Sequence, residues 1–381
     1  AQGERVRVYV PFGELIPGMA YLVRRLLENS SNDSFVRRSG EKTVDLSLLD
    51  DPRDLVDRLP APDHRPTEPT YMNDPETDFA VPENQEKMHA ALKSVETALG
   101  FTVPVRIDGK DEQGGTCFDR EDPSAAGVVA SRAWFATPEQ ATRAIASASA
   151  AFPAWRDTPV AERCAVLRRV ADVFARRRFE MSAWMVREVG KPWREADADV
   201  AEAIDFCTFY AAEMERLSTP RQRDVPGEWN SMHYDARGPA VVIAPWNFPL
   251  AILTGMAVAA LVAGNTVVVK PAEQSSRTGF FLAEALAEAG CPSGVFHFLP
   301  GDGAQIGPVL VEDPRVALIA FTGSRAVGLS ILRTASEVKP GQREIKRVVA
   351  ELGGKNAIIV DDDADLDEAV VAVAQSAFGF Q

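Results

Sequence analysis

Five short segments of this chain hold side chains fit for chemistry. Pro245-Trp246-Asn247-Phe248-Pro249 sets a side-chain amide between two prolines, and Lys270-Pro271-Ala272-Glu273 places an ammonium and a carboxylate three residues apart. Pro300-Gly301-Asp302-Gly303 and Thr322-Gly323-Ser324 are glycine turns whose backbone a ligand can approach closely. Glu351-Leu352-Gly353-Gly354-Lys355 puts a lone carboxylate ahead of two glycines. Amides and ammonium groups donate hydrogen bonds, and carboxylates accept them, so these segments suit a polar ligand with hydroxyls or anionic groups.

The elements that position them are legible from periodicity. Apolar runs at 240–244, 266–269, 295–299, 317–321 and 357–360 read as strands, each followed by a helical pattern. That alternation predicts a parallel sheet with helices on both faces. Ligands of such open sheets sit beyond the carboxyl ends of the strands, where the first four segments fall. No G-x-G-x-x-G occurs with dinucleotide-fold spacing, and Gly301, Gly303 and Gly307 alone would fit an ordinary turn. Lys270 and Glu273 stand where a nucleotide ribose would lie. The ammonium can donate to ribose hydroxyls, while the carboxylate accepts from them and repels a 2′-phosphate, which favours NAD over NADP. Taken alone, the pair equally suits a solvated ion pair at a helix start.

The rest of the chain bounds the reading. Its 381 residues allow one large or two to three ordinary domains, and 46% hydrophobic with 25% charged residues is globular chemistry. A net charge of −14 argues against a broad nucleic-acid surface. The four cysteines (Cys117, Cys164, Cys207, Cys291) and four histidines lack metal-ligand spacing, so no metal is expected. The apolar stretch 250–263 is too short for a membrane span and reads as a buried helix. No signal-peptide pattern follows Ala1, which predicts a cytoplasmic address. Residues 5–10 alternate like a strand and 19–35 follow helical spacing. Seven prolines among acidic residues at 45–86 suggest a linker or arm, with helical spacing at 84–99. A strand entering a turn is expected at 103–110, and helices at 138–151, 159–189 and 193–216, with Gly190 as a stop and Pro192 as the next start.

PWNFP, KPAE, FTGS and ELGGK, in this order and spacing, resemble the aldehyde dehydrogenase superfamily over residues 101–381. The resemblance implies a Rossmann-type α/β domain and assigns roles within it. Asn247 would supply half of an oxyanion hole, and Glu351 would be the general base that activates water for thioester hydrolysis. Lys270 and Glu273 would hold the adenosine ribose. Gly303, Gly307, Gly323 and Ser324 would line the pyrophosphate and nicotinamide, and Val327 would pack near the adenine, with Ala244, Pro245, Trp246 and Leu352 completing the NAD site. The family's reactive cysteine lies beyond the general base in a motif that none of the four cysteines matches, so no dehydrogenase turnover is expected from this polypeptide.

Upstream, Tyr9-Val-Pro-Phe-Gly and the helix containing Tyr21, Arg24, Arg25 and Glu28 resemble the last strand and helix of a proline dehydrogenase (β/α)8 barrel. By that resemblance Arg24 and Arg25 would clamp the proline carboxylate, Tyr9 and Tyr21 would line the site, and Glu28 would lie near a flavin. Such a barrel precedes a glutamate-semialdehyde dehydrogenase in the bifunctional proline utilization A family. The chain is therefore expected to be an internal fragment: 1–40 barrel tail, 41–100 linker or arm, 101–381 NAD-binding domain. The parent would act on small molecules in proline catabolism with FAD and NAD, as a homo-oligomer with peripheral membrane contact. An aldehyde dehydrogenase of other substrate specificity and a non-catalytic NAD-binding module stay open as alternatives.

Overall fold

The structure, a computed structural model, describes residues 71–224, 226 and 228–379. Helix α1 (Pro82–Thr97) leads to strands β1 (Phe101–Val103), β2 (Val105–Ile107), β3 (Lys110–Glu112), β4 (Thr116–Glu121) and β5 (Val129–Phe135). Helices α2 (Pro138–Arg156), α3 (Val160–Arg176), α4 (Arg178–Val189) and α5 (Trp193–Leu217) follow, then a small hairpin of β6 (Arg221–Gln222) and β7 (Ser231–Met232). The alternating part comprises β8 (Ala240–Ile243), α6 (Ala251–Val262), β9 (Val267–Lys270), α7 (Ser276–Glu288), β10 (Phe296–Phe298), α8 (Gly303–Glu312), β11 (Leu318–Thr322), α9 (Arg325–Ser336) and β12 (Arg347–Glu351). These elements belong to one compact unit, 71–355, whereas 356–377, with most of α10 (Leu366–Phe378), belong to a second.

The main sheet runs in the order β12-β11-β8-β9-β10-β2-β3. Pairing is parallel from β12 to β10 and antiparallel from β10 through β2 to β3. Winding proceeds from β8 outward to β10, then returns to β11 on the other side of β8. A crevice therefore opens at the carboxyl ends of β8 and β11, where the connections part in opposite directions.

Strand residues alternate between two cores because successive side chains of a pleated strand point to opposite faces. Val242, Val269 and Phe298 pack with Leu167, Val200, Leu253 and Phe281 of α3, α5, α6 and α7. Val241, Val268 and Ile319 pack with Ile145, Ile306 and Ile331 of α2, α8 and α9. Each fully buried Val or Leu contributes roughly 1.5–3 kcal/mol, so both helix layers are held mainly by these faces. Local signals set the ends. Thr137 and Gln140 form a reciprocal capping box ahead of α2, and Gly190 closes α4 in the left-handed region at φ 73°.

Two expectations need correction. The fifth parallel strand is Arg347–Glu351, paired with β11 from Leu318↔Arg347 to Thr322↔Glu351, and 357–360 form no ladder despite their apolar run. The single helix expected at 159–189 is two, divided at Arg177, whose ψ of 14° leaves the helical range. The strand entering a turn expected at 103–110 is present: β2 runs into a turn at 108–109 ahead of β3, while Val103 ends β1, which belongs to a different sheet. Within the stretch expected to be an arm, residues from 71 onward pack on α5: Tyr71 Oη donates to the Asp205 carbonyl at 3.0 Å and Thr77 N to Asp197 Oδ2 at 2.7 Å. Tyr9, Tyr21, Arg24, Arg25 and the barrel tail lie outside the described residues.

Candidate active site

Lys270 is the last residue of β9 and only 4% exposed, so its ammonium must find a partner inside the protein. It donates to Glu273 Oε1 at 2.6 Å. The same oxygen accepts the Gly303 N–H at 2.9 Å. Gly303 begins α8, and Asp302 caps that helix by accepting from Ala304 N at 2.8 Å. One carboxylate thereby ties the tip of β9 to the N-terminus of α8, whose free N–H groups and dipole favour an anion.

Two adjoining hollows meet at this pair. The first, ≈570 Å³, is lined by Ala244, Pro245, Trp246, Asn247, Gly323, Ser324, Glu351 and Leu352. The second, ≈660 Å³, is lined by Gly303 and Gly307, and Lys270, Glu273 and Val327 border both. The fold thus gathers every residue proposed from 244 to 352 around one cleft at the switch point. A Cβ at Gly307, which lines the second hollow, would face open space beyond its own helix.

Glu351 ends β12 directly opposite Thr322, the end of β11, and its carbonyl accepts the Gly323 N–H at 3.1 Å. Ser324 caps α9, with its Oγ accepting from Val327 N at 3.4 Å, so a second helix N-terminus opens on the cleft. Leu352 lies against Gly328 of α9 so closely that a Cβ there would collide with its side chain. Asn247 sits in the loop between β8 and α6. That loop is anchored at its start by Ala244 N donating to the Lys270 carbonyl at 3.2 Å.

Sequence reading missed several contributors. Gln274, Phe321 and Gly353 line the first hollow and Ser330 and Thr334 the second. The last two follow Val327 by three and seven residues along α9, a spacing that could have revealed them. Lys191 and Asp199, which contact Phe248 and Ala251 without lining either hollow, were also not singled out. None of the four cysteines lines either hollow. Cys164 and Cys207 are buried within α3 and α5. Burial raises all four thiols, pushing Cys291 up to about 12; neighbouring Asp119 adds to the effect at Cys117, and Glu215 at Cys164.

Residues 110–381 match the Aldehyde dehydrogenase family. The chain belongs to that family. Residues 1–38 match the Proline dehydrogenase family. Among similar aldehyde dehydrogenases, 1-pyrroline-5-carboxylate dehydrogenase of Geobacillus thermodenitrificans is 46% identical over 311 residues, covering 81% of this chain and 60% of that protein. The Bacillus subtilis enzyme of the same name is 43% identical over 312 residues, covering 82% and 61%. The chain thus spans about three-fifths of the length of these relatives. A crystal structure of proline utilization A from Bdellovibrio bacteriovorus, inactivated by N-propargylglycine, superposes with a TM-score of 0.80 at 48% identity, over 97% of this chain and 39% of that one. The 1-pyrroline-5-carboxylate dehydrogenase from Thermus with bound NAD gives 0.79 at 42% identity, over 83% and 61%.

Proposed function

We propose that this aldehyde dehydrogenase chain supplies the NAD site, oxyanion donor and deacylating base for oxidation of L-glutamate γ-semialdehyde to glutamate in proline catabolism. The observation that carries this reading is the convergence of Asn247, the Lys270–Glu273 pair and Glu351 on one cleft. The residues suit a dinucleotide: an ammonium and a carboxylate for ribose hydroxyls, two capped helix N-termini for phosphates, and open space over Gly307. When bound, NAD supplies the hydride acceptor. A cysteine thiolate, supplied in the parent by the family's motif beyond Glu351, would add to the aldehyde carbon, and the Asn247 side-chain N–H would donate to the oxygen that gains charge, a contribution of about 3 kcal/mol for a donor of this kind. Glu351 takes a proton from the water that attacks the thioester, and Gly353 and Gly354 free the following chain to let it swing. Relatives named for this activity at about 45% identity support the substrate.

The proposal extends to FAD for the proline-oxidising half that residues 1–38 resemble, and to a homo-oligomeric cytoplasmic protein with peripheral membrane contact. The placement of the thiols favours a second reading, a non-catalytic NAD-binding module. Calorimetric titration tests the common ground: NAD is expected to bind more tightly than NADP, and no heat at millimolar cofactor overturns both readings. Assaying the product of the gene's complete reading frame separates them. Oxidation of glutamate semialdehyde in preference to simple aldehydes supports the first, preference for simple aldehydes removes the proline assignment, and no turnover favours the second.

A further inference from the structure

Lys191 and Asp199 form an ion pair at 2.6 Å, their side chains 1% and 0% exposed. Burying two charges carries a desolvation penalty, and a well-packed apolar pair is often no less stable, so stability alone is a weak account of such a pair. Their remaining contacts give a better one. Lys191 lies in the connection between α4 and α5, just after the left-handed Gly190, and its ammonium sits 4.1 Å from the centre of the Phe248 ring. Asp199 Oδ1 accepts the Ala251 N–H at 2.6 Å. Ala251 is the first residue of α6, and Leu250, at the N-cap position, makes no side-chain capping bond. A carboxylate from α5 therefore does for α6 what a capping residue would do.

One contact falls on the residue next to Asn247 and the other, four residues on, at the start of the helix that closes its loop. With Ala244 fixed to β9, the loop is held on both sides of the amide. Neither Lys191 nor Asp199 lines the cleft. We infer that Lys191 and Asp199 are positioning residues that fix the Asn247 amide, Lys191 through the Phe248 ring and Asp199 through the Ala251 N–H. Preorganised donors stabilise developing charge without reorganising, so a loosened loop would weaken the amide's effect and leave the nucleotide contacts intact. The catalytic meaning rests on the proposed role of Asn247; the mechanical part does not.

Hydrogen–deuterium exchange of the whole chain tests it, with Lys191→Met, Lys191→Arg and a double variant, Lys191→Met with Asp199→Leu, that leaves no orphaned charge. Removing a bond to a charged group corresponds to roughly a 10- to 100-fold change, so exchange across 245–251 should rise by at least about tenfold in the Met variant and the double variant. Arg at 191, which keeps the charge over the ring, should restore most of the protection. Exchange in α3 and α7 should stay as in the parent chain. Acceleration spread evenly over α3, α5 and α7, or none in the loop, overturns the inference. Should the double variant fail to fold, the contrast between Met and Arg at 191 decides alone, and equal behaviour of the two overturns it. Turnover of Asn247→Ala in the complete gene product separates the two levels: unchanged turnover removes the oxyanion role and leaves the exchange result standing.

Discussion

Glu273 and Gly303 stand at the tips of different βα units, yet one Glu273 carboxylate oxygen accepts the Gly303 N–H at 2.9 Å while holding Lys270 Nζ at 2.6 Å. The carboxylate is thus fixed at the cleft, where a 2′-phosphate would meet like charge. Glu273→Gln removes that charge and keeps the shape. NAD affinity is expected to fall by about tenfold, the lower end for a bond to a charged group. NADP should bind the variant more tightly than it binds the parent chain. Calorimetry with both cofactors checks this, and an unchanged NAD to NADP ratio would contradict the assignment of Glu273.

Gly328→Ala follows from the contact with Leu352. A methyl group at 328 meets the Leu352 side chain and also approaches the Phe321 ring at 3.2 Å. Overpacking of this kind costs about 1–3 kcal/mol. Leu352 and Phe321 both line the first hollow, so NAD affinity should fall with the melting temperature. Trimming Leu352 to Ala in the same chain should recover part of the stability, which a thermal melt of the double variant measures.

The parallel sheet is legible in the sequence because β8 is a run of Ala, Val and Ile and β9 three valines before Lys270, largely buried and with no turn residue to interrupt them. β12 is harder to read. Its burial alternates between exposed and intermediate, as suits a sheet edge, and Arg347 and Glu351 at its ends disguise it beside the more apolar 357–360. Pairing across a sheet is a non-local choice that a local apolar run cannot reveal. The cleft residues from 244 to 327 are legible because they stand at or beyond the ends of readable strands, whereas Glu351 and Leu352 show only through the ELGGK motif, since their own strand is disguised. Lys191 is not: Gly190 and Pro192 punctuate two helices, and nothing local shows that the residue between them reaches Phe248, 57 positions on. Asp199 likewise reads as one polar position of a helix until α6 is seen to begin against it.

A pH effect on stability is expected at His297. The imidazole is buried in β10, with Nδ1 accepting the Asp108 N–H at 3.1 Å and Nε2 facing the Gly294 carbonyl at 3.0 Å. Burial pushes its pKa down to about 4, since protonation would charge a dry site and remove the acceptor for Asp108. A depressed histidine stabilises the fold fully above the unfolded value near 6.5 and loses that contribution as pH falls through 4. The shift corresponds to about 3 kcal/mol. Glu180 and Asp313, held low by Arg177 and Arg315, also lose stabilisation in acid, so the total curve mixes sources. Subtracting the melting curve of His297→Gln from that of the parent chain isolates the histidine. The difference should shrink between pH 6.5 and 4, and a flat difference would refute the assignment.

Thiol chemistry offers the last test. Cys117 is exposed, whereas Cys164 and Cys207 have no accessible surface and the Cys291 thiol is pushed up to about 12. The thiolate is the reactive form, so burial both shields a cysteine and deprives it of charge. Iodoacetamide at neutral pH is therefore expected to label Cys117 first and the other three only on a slower timescale, set by local opening of the structure around them. A cysteine that attacks an aldehyde beside the nicotinamide would show the opposite behaviour, with fast labelling that NAD changes. Saturating NAD should leave all four labelling rates unchanged, and alkylation of Cys117 should leave NAD binding intact. Mass spectrometry of labelled peptides with and without NAD measures both. Rapid, NAD-sensitive labelling of Cys164, Cys207 or Cys291 would place a nucleophile at the cleft and turn the balance from a binding module toward turnover by this chain itself.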